Sequence, residues 1–283
     1  MENGISIACG PNVDDYHWME VLMREAGPFF DGISLHHYAL ASYWEDKRPA
    51  IGFPENEWFS LIESALKMDE LISKHSTIMD QYDPGKRIGL IVDEWGSWLA
   101  VEPHTNPGFL YQQNTIRDAI VASLTLNIFH RHADRIHMAN IAQMVNVLQA
   151  MVLTKNEKMI KTPTYHVFDL YKNHMEAQRV DTSSILSKHT DFTVSKKENL
   201  LTISLCNYDL AAADDVIFDI RDSEIVSISA ESLIGTAMDQ HNSFDLPDNL
   251  TKQLFNDYIL NNQNELVVTI PPMSVISLYV TLG

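Results

Sequence analysis

Strand-like apolar runs alternating with amphipathic helical stretches, followed by closely spaced period-two runs, predict a parallel α/β region with an antiparallel β-sandwich behind it. Two observations carry this. Roughly four strand–helix units occupy residues 5–175, and beyond about Ser184 the pattern changes to short alternating segments bounded by turn signals. A third observation marks one strand as special: Ile88 to Val92 is continuous, apolar and β-branched, and it runs directly into Asp93-Glu94-Trp95-Gly96.

The elements follow in order. Ile5 to Cys9 reads as a strand; Asp14 and Asp15 can cap a helix with Trp18, Val21 and Leu22 on one face. Gly32 to His36 is a second strand. From about Pro54, Trp58, Leu61, Ile62, Ala65, Met68 and Ile72 fall on one helical stripe. Ile88 to Val92 is the third strand, reading as buried on both faces and ending at the two carboxylates. Gln112 to Phe129 is a helix with Ile116, Ala119, Ile120 and Leu124 inward. Arg135 to Ala142 is a fourth strand and Tyr165 to Met175 a closing helix.

In the second region, Leu201-Ile203-Leu205, Val216 to Ile220, Ile225 to Ile228, Leu266-Val268-Ile270 and Val275 to Val280 alternate, punctuated by Lys197-Glu198-Asn199 and Pro271-Pro272. The expected domains are therefore 1–183 and 184–283. Four βα units are half of what a closed eight-stranded barrel requires.

Charge and cysteines narrow the function. A formal net charge of −18, from 38 acidic and 20 basic residues, excludes the basic stripe that nucleic-acid binding needs, so no nucleic-acid partner is expected. The cysteines, Cys9 and Cys206, lie far apart without CxxC spacing, which argues against a disulfide framework or a cysteine zinc site. No run is apolar and long enough to cross a membrane and no signal peptide is legible, so the expected location is cytoplasmic without membrane association. No glycine-rich phosphate loop occurs, so no cofactor is expected. His130, His132 and His137 cluster in sequence but lack ligand spacing, so no metal is expected.

Glu94 is the candidate catalytic group. Acids at the carboxyl ends of barrel strands are where barrel enzymes place their chemistry, and Trp95 and Trp98 supply ring faces suited to the C–H face of a sugar. His36 and Tyr38 share strand parity and point to one side, His37 to the other. By the same alternation, Asp93 and Trp95 point away from Glu94.

Four motifs, in this order and with the sandwich behind them, resemble the C-terminal part of a glycoside hydrolase family 51 α-L-arabinofuranosidase. They are Ala8-Cys-Gly-Pro-Asn12, Gly32-Ile-Ser-Leu-His-His-Tyr38, Val92-Asp-Glu-Trp-Gly-Ser-Trp98 and the run from His132 to Asn146, which contains Gln143. The resemblance covers essentially the whole chain. It implies the C-terminal half of a (β/α)8 barrel followed by a jelly-roll sandwich, and a retaining mechanism acting on terminal arabinofuranosyl groups of arabinan or arabinoxylan fragments. It makes Glu94 the nucleophile, at the seventh barrel strand, and His36, Tyr38, Trp98 and Gln143 substrate-binding residues. The family's acid/base sits in a Gly-Asn-Glu motif that is not present here. The resemblance thus implies a chain that begins at the fifth strand and is inactive alone. It would be completed by an N-terminal companion chain, or it would self-associate through its open sheet edges. The alternative is a non-catalytic carbohydrate-binding or structural fragment.

Overall fold

The computed structural model describes residues 4–183, 187–221, 223–261 and 265–283. The strands β1 (Ile7–Ala8), β2 (Gly32–Ala39), β3 (Gly89–Ser97) and β4 (Ile136–Ile141) form one parallel sheet in the order β1-β2-β3-β4. Helices α1 (Tyr16–Ala26), α2 (Glu55–Tyr82) and α3 (Ile116–Arg131) connect them, and α4 (Pro163–Tyr171) follows. The helix-facing side chains Ile33, Leu35, Leu90 and Val92 are fully buried with Met19, Trp58, Ile62 and Ile120 in one core.

Local chemistry moves several boundaries from their sequence positions. α1 buries Met19 and Met23 and leaves Trp18 49% exposed, so its inner face lies one residue away from Trp18, Val21 and Leu22. The Trp18 indole is instead held at the surface, where Nε1 donates to the Cys9 carbonyl at 3.2 Å. α3 starts at Ile116 rather than Gln112 because Thr115 and Asp118 form a reciprocal capping box. Gln112 belongs to the preceding loop, where its side-chain oxygen accepts from the Leu99 amide at 2.8 Å. α4 is capped by Thr162 with Pro163 in its first turn, and it ends at Tyr171 rather than Met175. The third strand does not stop at the carboxylates: β3 continues through Glu94 to Ser97.

A hairpin that periodicity does not announce, β5 (Val152–Lys155) with β6 (Lys158–Lys161), precedes α4. The remaining strands are β7 (Gln178–Arg179), β8 (Thr190–Lys197), β9 (Leu200–Asn207), β10 (Asp214–Asp219), β11 (Ile225–Ile234), β12 (Gln253–Leu254), β13 (Tyr258–Leu260), β14 (Glu265–Ile270) and β15 (Ser274–Leu282). They make two antiparallel sheets, ordered β12-β11-β15-β9-β8-β7 and β10-β14-β13. Ile203, Leu205, Ile276 and Leu278 of the larger sheet share a core with Leu266, Val268 and Ile270 of the smaller. This is the sandwich expected from the alternating runs. The boundary expected at Ser184 lies outside the described residues.

The sandwich docks on the helices. Cys206, Leu233 and Val275 join the core of the α/β region. The Trp58 indole donates to the Tyr208 carbonyl at 3.0 Å, and the Tyr279 hydroxyl donates to the Leu170 carbonyl at 3.1 Å.

Candidate active site

Glu94 and its neighbours converge because β3 carries one extra residue. Ser34 is in register with Ile91, yet His36 is in register with Glu94, so two steps on β2 match three on β3. A bulge of this kind breaks alternation and turns two successive side chains to one face. Asp93 therefore faces the same side as Glu94, contrary to simple parity. Its Oδ1 accepts from Ser34 Oγ at 2.6 Å and lies 3.1 Å from His36 Nε2. Trp95 does point away: it is buried against Phe129 and Phe168.

The Tyr38 hydroxyl donates to Glu94 Oε2 at 2.9 Å, and His36 Nδ1 lies 3.8 Å from the same oxygen. Burial, then the hydrogen bond to Glu94, raises the Tyr38 pKa far above its ordinary value, so the phenol stays a donor. One oxygen of Glu94 is thus held and the side chain remains 47% exposed, open on the side the helices do not cover. His37 faces the opposite way, buried, with Nε2 donating to the Ser64 carbonyl at 2.8 Å. Its burial lowers its pKa, which keeps it neutral and structural.

Near the end of β3, Gly96 has φ +140° and passes so close to Gln149 that a Cβ would lie 3.0 Å from Gln149 Oε1. The same oxygen accepts from the Ser97 amide at 2.7 Å, which fixes the strand exit. Trp98 then stands edge-on to Tyr38 at 5.0 Å and to Trp44 at 5.0 Å. Lys47 Nζ sits 4.1 Å over the Trp44 ring. An aromatic wall, Tyr38–Trp98–Trp44, therefore leads outward from Glu94.

His36 and Tyr38 thus stand against Glu94, and Trp98 stands against Tyr38. Gln143 lies apart, exposed and with φ +55°, on the loop after β4 and along a separate cleft. Sequence reasoning missed Ser34, Asp93 and Trp44. Ser34 shares the parity of His36 and could have been found; Asp93 is hidden by the bulge, and Trp44 by the irregular loop. The histidines noted in sequence face different neighbours: His130 meets Thr193, His132 meets Asp69, and His137 covers Gly89. No group of three or more possible metal ligands converges among the described residues.

A parallel sheet with a carboxylate at its C-terminal rim, followed by a two-sheet sandwich, is the arrangement of part of a barrel with a C-terminal sandwich. The profile of the α-L-arabinofuranosidase C-terminal domain matches residues 93–274. A curated relative from Bacteroides ovatus, named an intracellular exo-α-L-arabinofuranosidase, is 38% identical over 96% of this chain and 55% of its own length. The crystal structure of the family 51 arabinofuranosidase from Xanthomonas axonopodis pv. citri superposes with TM-score 0.93 at 40% identity, covering 99% of this chain and 59% of that one. A family 51 α-L-arabinofuranosidase from Bifidobacterium longum shares the fold at 21% identity and TM-score 0.79, over 97% of this chain and 58% of that one. The chain belongs to the family 51 α-L-arabinofuranosidases and corresponds to their C-terminal region. It spans a little over half the length of these relatives. No helix among the described residues is long and apolar enough to cross a membrane.

Proposed function

We propose that the chain is the nucleophile-bearing portion of a retaining α-L-arabinofuranosidase that removes terminal α-L-arabinofuranosyl groups from arabinan or arabinoxylan fragments. The observation that carries this is the Glu94 carboxylate, gripped by Tyr38 at 2.9 Å and half-exposed, with Trp98 edge-on to that tyrosine. Glu94 attacks the anomeric carbon as the glycosidic C–O bond breaks and the leaving oxygen takes a proton from a second carboxyl group. A water, deprotonated by that same group, then displaces Glu94 and returns the α-anomer. Tyr38 aims the nucleophile, His36 and Gln143 bind sugar hydroxyls, and Trp98 packs on the ring.

A retaining pair needs its carboxyl groups about 5–5.5 Å apart. Asp93 is a poor second member because its Oδ1 is already taken by Ser34 and His36. The acid/base in this reading comes from the other half of the barrel, supplied as further sequence or as a companion chain. A cytoplasmic setting fits the name of the Bacteroides ovatus relative.

The test is a complete enzyme containing these residues, assayed on an aryl arabinofuranoside with the product anomer read by proton NMR. Glu94→Ala should lower turnover by about 10⁴-fold or more, and azide should restore it with a β-L-arabinofuranosyl azide as product. Activity above a few per cent in the variant would reassign the nucleophile. If no arabinofuranoside is cleaved by the complete enzyme, the chain is instead a binding or structural fragment.

A further inference from the structure

Gln143 borders a cleft of about 630 Å³ that the Glu94 chemistry does not use. Its walls come from separate segments: Phe109, Leu110 and Tyr111 from the loop after β3, Val147 from the loop after β4, and Phe244 from a sandwich loop. Asn146 and Thr154 also line it, but they satisfy each other. Asn146 Nδ2 donates to Thr154 Oγ1 at 2.8 Å, and the Thr154 amide donates to Asn146 Oδ1 at 2.7 Å. With that pair satisfied, the other polar groups of the lining are those of Thr105, Tyr111, Gln143 and Lys155, so the wall is chiefly apolar.

Two further facts argue that the cleft is built rather than left over. Leu110, Gln143, Asn146 and Leu148 all have left-handed backbones, with φ between 51° and 63°. That conformation costs a non-glycine residue about 1 kcal/mol and tends to collect at functional sites. The Leu148 amide also donates to the Leu110 carbonyl at 2.9 Å, tying the two loops together. β4 brings Gln143 to the end of β3, because the Ala142 amide donates to the Trp95 carbonyl at 2.9 Å. Adjacent strands run about 4.8 Å apart, so Gln143 leaves the sheet beside the C-terminal end of β3.

We propose that this cleft receives the apolar aglycone of an arabinofuranoside, an aryl or polycyclic group, while the arabinofuranosyl ring lies toward Glu94. This rests on the arabinofuranosidase reading of that site. A volume of a few hundred Å³, mostly apolar walls and a small number of orienting polar groups is the general form of a pocket for such a group. Gln143, on the β4 side of the cleft, supplies the polar group for the sugar end.

All of these walls belong to the chain itself, so binding can be measured on it without turnover. Calorimetric titration would compare 2-naphthyl α-L-arabinofuranoside, methyl α-L-arabinofuranoside and linear α-1,5-arabinotriose. The naphthyl glycoside should bind at least about tenfold more tightly than the methyl one, from the apolar area it buries. Phe109, 69% exposed, can be truncated with little risk to the fold. Phe109→Ala should remove most of that advantage, and Phe109→Leu should keep part of it. The same ratio, read as kcat/KM on the complete enzyme, is an independent arm. An equal advantage for arabinotriose would make this a saccharide cleft, and an advantage surviving in Phe109→Ala would place the aryl group elsewhere. Either result overturns the aglycone assignment alone, whereas a complete enzyme that cleaves no arabinofuranoside overturns the Glu94 reading alone.

Discussion

The sandwich and the α/β region differ in how completely each encloses its own strands. β9 is buried at every position after its first, because the facing sheet covers one side and the helices pack near the other. β4 has no fully buried position, and Met138 and Ile7 are 44% and 46% exposed. A parallel sheet needs cover on both faces. Here the helices cover one face, where Leu35 and Val92 are sealed, while the face carrying His36, Asp93 and Glu94 stays open. Chemistry and the open face thus lie on the same side of the sheet; in the sandwich the thinner cover falls on the smaller sheet, whose β10 and β13 have no fully buried position.

The largest stability effect should fall in the closed region. Leu278 is fully buried between the two sheets, and Leu278→Ala should cost about 2–5 kcal/mol of unfolding free energy in a denaturant titration. A cost under 1 kcal/mol would mean that the sandwich core is looser than its burial implies.

Acid should next attack the seam between the regions. His130 and His174 meet with ring centroids 4.7 Å apart and planes tilted by 51° where α3 meets the sandwich; His174 contacts Ser195 and Ser204, and His130 contacts Thr193. Burial, then the Arg131 charge, pushes His130 down to about 4; burial, then His130, pushes His174 down to about 3. Unfolded histidine titrates near 6.5, so below that pH the unfolded chain binds protons that the folded chain refuses. Stability is full above about pH 6.5 and declines as pH falls toward 4, by on the order of 3 kcal/mol per histidine. Thermal melts between pH 7 and 4 should show the decline, and His174→Gln should flatten it. A flat wild-type profile would count against the buried neutral pair.

Much of this arrangement is legible in the sequence, and its limits are physical. The α2 stripe, the strand cores and the period-two runs are read from burial alone, and they stand where expected. Strand ends and the side to which Asp93 points depend on a bulge that exists only between paired strands, so parity on one strand misplaces that residue. The β5–β6 hairpin escapes because a four-residue strand has too little periodicity to stand out. Gln143 is legible as a polar residue following a strand, but its left-handed backbone and its cleft come from neighbouring loops distant in sequence.

On the open face, Tyr38→Phe in the complete enzyme keeps the ring against Trp98 and removes only the donor to Glu94. A hydrogen bond to a charged group contributes about 1.5–3 kcal/mol, so kcat should fall by about 10- to 100-fold with the fold intact. An unchanged kcat would make Tyr38 a wall residue only.

The smallest effect should come from the open face of β4. Met138 is in register with Ile91, two residues before Asp93, on the face that carries Glu94. In this chain its side chain is 44% exposed and removes little apolar surface from water, so Met138→Ala should change stability by less than about 0.5 kcal/mol. In a closed barrel the same side chain would turn into the interior, where truncating a methionine costs about 2–5 kcal/mol. The two values can be compared directly by unfolding the variant and parent as the 283-residue chain and as a complete enzyme. A small cost in the chain and a large one in the complete enzyme would show that the open face closes around the site. Equal small costs would mean that β4 stays an edge even there, and that the second carboxylate must reach Glu94 without burying Met138.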